Sequence, residues 1–269
     1  MASPLRALLL FCLLLAGLSA CRTPFSYVSN APAVPMLRDE GTTQVTASAT
    51  ANHLSLQTAK LYQPNRAWMA NTQIDLRGRL LVEGGLGYVR PLTDFNMFDV
   101  YAGYGFGRIA TDYNVADFTV FTATRDGEYT HRINTTYHKL FIQPSFAGNL
   151  SFDEQLGLSL RTSLVYFPKY EFESVFNGFD GTFIFTADSD TLMAENAVGV
   201  IFDPVATFRT MWGNSSLVIQ GGYSFPFFPD LQGDFYEHPV YHRIIFSLSY
   251  QHRFPQKRPK KRSSKGTTF

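Results

Sequence analysis

The segment Arg243-Ile-Ile-Phe-Ser-Leu-Ser-Tyr-Gln-His-Arg-Phe254 alternates in character with a period of two. Ile244, Phe246, Leu248, Tyr250, His252 and Phe254 fall on one face. Arg243, Ile245, Ser247, Ser249, Gln251 and Arg253 fall on the other. A helix would mix Arg243, Ser247 and Gln251 with apolar neighbours, whereas a strand separates them. The same split runs through 98–107, 156–167 and 217–227, and more weakly through 42–51, 53–61, 67–76, 80–91, 133–150 and 193–210. The reading is all-β with about ten strands, or eight if one of the first two hairpins is misread. No convincing amphipathic helix is present.

Alternating strands suit two architectures. A soluble sandwich or lipocalin-like barrel turns the apolar face inward. A transmembrane barrel turns it outward and keeps a polar lumen. Composition separates them. Charged residues make up only 17% of the chain, against about 25% in ordinary soluble domains. Mean hydropathy is nevertheless −0.08, because Ser, Thr, Asn, Gln and Gly dilute the apolar residues. The polar faces carry Gly, Ser, Gln and Arg, a poor soluble exterior but a good narrow lumen. Strands reach the length that crosses a bilayer at a tilt. Trp68, Tyr88, Tyr104, Tyr166, Trp212, Phe227, Tyr250 and Phe254 lie near strand ends, as an interfacial girdle requires. An antiparallel transmembrane β-barrel is therefore expected. A disordered chain is excluded by the hydrophobic content. A helical membrane bundle is excluded because no apolar run beyond residue 20 approaches about 18 residues. The net charge of +1 gives no field for a polyanion, and no nucleic-acid partner is expected.

Connection lengths follow a barrel's parity. The links Thr93–Met97, Ser151–Gln155 and Met211–Ser216 are short, and those at 112–132, 171–192 and 229–241 are long. Short periplasmic turns alternating with long external loops place both termini in the periplasm. The long loops are then the expected surface for any extracellular partner.

The N-terminus reads as an address. Arg6 precedes the apolar stretch Ala7–Gly17, too short to span a bilayer and flanked like a signal peptide. Leu18-Ser19-Ala20-Cys21 resembles the bacterial lipoprotein box. The resemblance implies a thioether-linked diacylglycerol and an N-acyl chain on Cys21, with no other cofactor. Several acyl chains suffice for stable anchoring. Arg22 after the cysteine is similar to sequences sorted to the outer membrane. Cys12 lies in the removed segment, so the mature chain has no cysteine pair for a disulfide. The domains are then a signal peptide at 1–20, an acylated tether at 21–40 with Pro24, Pro32 and Pro35, a barrel at 41–254, and a basic tail at 255–269. The tail, Lys257-Arg-Pro-Lys-Lys-Arg262 with Lys265, suits anionic headgroups of the inner leaflet.

Three stretches resemble a family of mostly uncharacterised outer-membrane β-barrel lipoproteins: Asn30-Ala-Pro-Ala-Val-Pro-Met-Leu37, Glu83-Gly-Gly-Leu-Gly-Tyr88 and Tyr101-Ala-Gly-Tyr-Gly-Phe-Gly107. The likeness covers the first 110 residues best and implies location, not chemistry. Gly103, Gly105 and Gly107 lie within a strand, so a nucleotide loop is rejected. They read as room in the lumen for side chains from other strands.

By alternation Glu83, Asp99, Arg161, Glu195, Asp203, Arg209, Arg243 and Arg253 face the lumen. Buried charges of both signs should pair there, and a structural plug is expected rather than a pore. His131, His138, His238 and His242 lie near outer strand ends, beside Asp234 and Glu237. A lipid-active barrel enzyme using these rim histidines is the alternative, although no nucleophile motif accompanies them. Asp180, Asp188 and Asp190 with Asn177 lack the calcium-loop pattern, so no metal is expected. A third alternative is a soluble periplasmic lipoprotein carrying an apolar ligand. The expectation is a monomeric, lipid-anchored outer-membrane barrel, not an enzyme, with a structural or surface-interaction role and outer-membrane lipids as partners.

Overall fold

The computed structural model describes residues 35–37, 40–50, 53–75, 79–118, 125–180, 184–229 and 244–254. They form β1 (Thr43–Ala49), β2 (His53–Gln63), β3 (Arg66–Asp75), β4 (Arg79–Pro91), β5 (Asn96–Phe118), β6 (Arg125–Asn149), β7 (Glu154–Asp180), β8 (Ile184–Trp212), β9 (Ser215–Tyr223), β10 (Phe225–Phe227) and β11 (Ile244–Phe254). Every strand pairs antiparallel with its neighbour, and β1 pairs with β11 to close the cylinder. β9 and β10 pair with β8 in one continuous register on either side of Ser224. They are one stave with a break, so the barrel has ten staves. Closure leaves no sheet edge around the cylinder.

Polarity is inverted relative to a soluble barrel. Leu54, Leu56, Leu86, Leu140, Ile142, Leu158, Leu164, Phe202 and Leu248 lie on the outer face, with Leu86 67% exposed. Gln44, Thr46, Gln57, Arg161, Arg209, Gln220, Ser249 and Gln251 face the axis and are buried. A soluble fold cannot hold this arrangement, because dozens of leucine-class side chains would stand in water. The outward run Leu156, Leu158, Leu160, Leu164, Tyr166 on β7 climbs about 25 Å at about 3.3 Å per residue and a tilt of about 40°, the height of a barrel's apolar band. Tyr62, Tyr88, Trp212, Tyr250 and Phe254 ring one end of this band, and Tyr104, Phe106, Tyr166, Tyr223 and Phe225 the other. The chain is a transmembrane barrel.

Turns at 64–65, 92–95, 150–153 and 213–214 lie at the end where β1 begins and β11 finishes. Asn65 and Gly213 take left-handed φ angles of 64° and 61° there, as tight hairpins demand. The opposite end differs from the expectation of long loops. Residues 112–118, 125–132, 171–180 and 184–192 continue the β5–β6–β7–β8 ladder well past the band. Neighbouring strands lengthen together, so each finds a partner for its backbone groups and the hairpins remain sheet. Most of 229–241 lies outside the described residues.

The end of the proline-containing tether is also part of the fold. Met36 and Leu37 are 0% and 1% exposed. They pack inside the barrel with Ala59, Leu61, Met69, Met97 and Tyr101. Met36 sits at φ 47°, and Gly157 makes room for it, since a Cβ there would meet the Met36 methyl at 2.3 Å.

Candidate functional site

The centre of the lumen carries charge. β4, β6, β7 and β8 project Glu83, Lys139, Arg161 and Asp203 to the axis, all buried. Glu83 Oε1 lies 2.7 Å from Arg161 Nη2 and 3.0 Å from Lys139 Nζ. Glu83 Oε2 accepts from Asn71 Nδ2 at 3.3 Å. The Arg161 guanidinium lies 3.8 Å from the centre of the Phe141 ring, and Arg161 is the register partner of Asp203. Two carboxylates thus oppose two cations, and no net charge is left in a low-dielectric interior. Glycine supplies the space: a Cβ on Gly105 would lie 2.9 Å from Glu83 Cγ.

A second group lies nearer the end that carries the strand termini. Arg209 Nη1 donates to Gln155 Oε1 at 3.2 Å, and Gln155 Nε2 donates to Asn149 Oδ1 at 2.7 Å. Asp99 on β5 is buried at the same level, within electrostatic reach of Arg209. The wall of β9, β11 and β1 is rich in hydroxyls and amides. Gln251 Nε2 donates to Thr46 Oγ1 at 3.2 Å, Ser249 to Ser48 at 2.8 Å, and Ser247 to Gln220 Oε1 at 2.9 Å. An apolar cluster also packs toward each end of the lumen, beside polar neighbours such as the Asp75–Arg79 pair. Met36 and Leu37 belong to one. Tyr137, Phe167, Tyr170, Phe172 and Phe228 belong to the other.

Five of the residues assigned to the lumen by alternation are there: Glu83, Asp99, Arg161, Asp203 and Arg209. Arg253 also points inward, half-buried. Arg243 and Cys21 lie outside the described residues. Glu195 is a correction: it is exposed, opposite Lys169. Inward residues on β7 run Arg161, Ser163, Val165, Phe167 and then Tyr170, Phe172, so the parity reverses at Pro168. The paired position on β8, Asn196, has φ 58° and accepts a 2.6 Å bond from the Tyr166 hydroxyl. Proline has no N–H for the ladder, and the left-handed asparagine turns the following side chain. Both strands therefore change face on the same rung, and Glu195 leaves the lumen. Lys139 is the residue that alternation did not single out.

Among the rim histidines, His138 faces outward, with Nδ1 2.5 Å from the Tyr104 hydroxyl. The His131 side chain and all of His238 and His242 lie outside the described residues. At the opposite rim Ser215 Oγ is 3.0 Å from His252 Nδ1 and 2.8 Å from Tyr250 Oη. Among the described residues no carboxylate or amide orients that imidazole, as a nucleophile–base pair requires. The side chains of Asp180, Asp188 and Asp190 lie outside the described residues.

No protein-family profile matches the chain, and no curated protein matches it. Among solved structures it is similar to CymD, a monoaromatic hydrocarbon channel, with 6% identity, a TM-score of 0.34, and coverage of 81% of this chain and 90% of that one. It is also similar to the Ralstonia pickettii toluene transporter TbuX, with 8% identity, a TM-score of 0.29 and the same coverage. At these scores the superpositions do not bear on what this chain does.

Proposed function

We propose that the chain is a lipid-anchored barrel of the bacterial outer membrane with a structural or surface-interaction role, neither enzyme nor open channel. One observation carries this reading. The Glu83–Lys139–Arg161 cluster crosses the lumen at mid-height, and apolar clusters pack above and below it. A barrel of this size packed with its own side chains leaves no path for bulk solute. Acylation of Cys21 adds an anchor at the periplasmic end, where both termini emerge. The hairpins at 112–132 and 171–192, with 229–241, form the surface offered to an extracellular partner, and the barrel works as a monomer among outer-membrane lipids.

Planar-bilayer recording of the refolded barrel tests the proposal. The expected trace is flat, without stable unitary steps. Reproducible ohmic steps that vanish on heat denaturation would contradict it and favour a conducting lumen.

A further inference from the structure

The two rims of the barrel differ in how their outward charges are matched. At the rim away from the strand termini, cations sit with acids. Arg132 lies 3.2 Å from Glu173 and 3.8 Å from Asp112. Lys169 pairs with Glu171 and stands opposite Glu195, and Arg108 alone among these cations has no described partner. At the rim that carries the termini, Lys60, Arg66 and Arg90 occupy outward positions on three adjacent strands, β2, β3 and β4. Arg66 and Arg90 are exposed and Lys60 is half-buried. No carboxylate among the described residues pairs with any of the three.

The register sets the spacing. Lys60 is opposite Trp68, and Arg66 is opposite Tyr88. Arg66 is therefore diagonal to Arg90, with backbone positions about 7–8 Å apart, and lies across the irregular Leu61/Gln63 step from Lys60. Like charges this close repel unless an anion lies between them. The aromatic partners fix the depth: Trp68 and Tyr88, with Tyr62 beside them, mark the boundary of the apolar band, where such rings sit at headgroup level.

We propose that Lys60, Arg66 and Arg90 form a binding site for the phosphate of an anionic glycerophospholipid, its acyl chains lying against Trp68 and Tyr88 and its headgroup bridging the three cations. The inference rests on the membrane-spanning reading and adds to it a lipid class and a place. The site consists of strand residues alone and does not include the basic tail at 255–269, which follows β11 in the sequence.

The test uses the full chain. Wild type and the Lys60→Gln/Arg66→Gln/Arg90→Gln variant are reconstituted in vesicles of zwitterionic phosphatidylcholine containing one-fifth phosphatidylglycerol. Insertion is confirmed first by faster gel migration of unheated samples. If wild type fails at that step the membrane reading itself falls, whatever the lipid result. Native mass spectrometry then measures retained phosphatidylglycerol against phosphatidylcholine. One basic group near the surface is worth roughly fivefold in such a ratio. The triple variant should lose the preference by at least about tenfold, each single variant by about fivefold, and a stop after Phe254 should leave most of it. Equal ratios in wild type and the triple variant would overturn the proposal. So would a preference that follows the tail alone, or one reproduced by inorganic phosphate acting on the detergent-solubilised protein.

Discussion

Glu83 on β4 and Arg161 on β7 meet at 2.7 Å across the lumen, although two strands, β5 and β6, lie between theirs in the barrel wall. The same carboxylate oxygen holds Lys139 at 3.0 Å. This tie joins walls of the cylinder that the ladder connects only through two intervening strands. Glu83→Gln should therefore cost about 3–5 kcal/mol, because two buried cations lose their acceptor. Urea unfolding in vesicles measures it. Adding Lys139→Met should return part of the loss, since Arg161 then keeps Asp203 as its partner. Strict additivity of the two substitutions would show that the cluster is not one unit.

Gly199 lies under the Phe228 ring, where a Cβ would come within 1.8 Å of Cδ1. Gly199→Val should destabilise the barrel by about 1–3 kcal/mol through overpacking. Phe228→Ala on that background should recover most of it, and thermal melts of the four proteins check the cycle.

Met36 and Gly157 are coupled by the same kind of fit. Met36→Ala should cost about 2–5 kcal/mol, and Gly157→Leu should expel the methionine and cost a similar amount. The double variant should be little worse than either single one. Additive losses would mean that the two residues do not share one site.

The rung at Pro168 and Asn196 reverses which side chains face the lumen. Asn196→Gly should be near neutral, as glycine accepts the left-handed angle, whereas Asn196→Val should cost about 1–2 kcal/mol. Tyr166→Phe should cost about 0.5–1.5 kcal/mol through the lost hydrogen bond to Asn196. Equal stability of the glycine and valine variants would remove the strain argument.

Which residues face the lumen was legible where one face is mainly apolar. On β7 and β11 simple alternation separates Leu158 from Arg161 and Leu248 from Gln251. It fails at Glu195 because counting by twos does not register a rung where both strands change face. It passes over Lys139 because β6 is mixed on both sides: Ile133, Tyr137 and Phe141 point in while Leu140, Ile142 and Phe146 point out. The polar members Thr135, Gln143 and Ser145 on the lysine's own parity were the available signal. The segments 112–132 and 171–192 read as loops because Asp, Asn and Gly crowd them. Their strand state depends on neighbours that lengthen in step, a relation between distant segments that no local pattern records. Met36 and Leu37 look like tether because their partners, from Ala59 to Phe141, come from other strands.

The central claim is that the strands themselves hold this chain in a bilayer, with leucines outward and charges inward. Cys21→Ala removes the expected acyl anchor and leaves every strand intact. Membranes carrying that variant, washed with carbonate and urea and run on gels with and without heating, test the claim directly. The variant should stay in the membrane pellet and migrate faster unheated than heated. A folded Cys21→Ala protein released into the soluble fraction would contradict the claim.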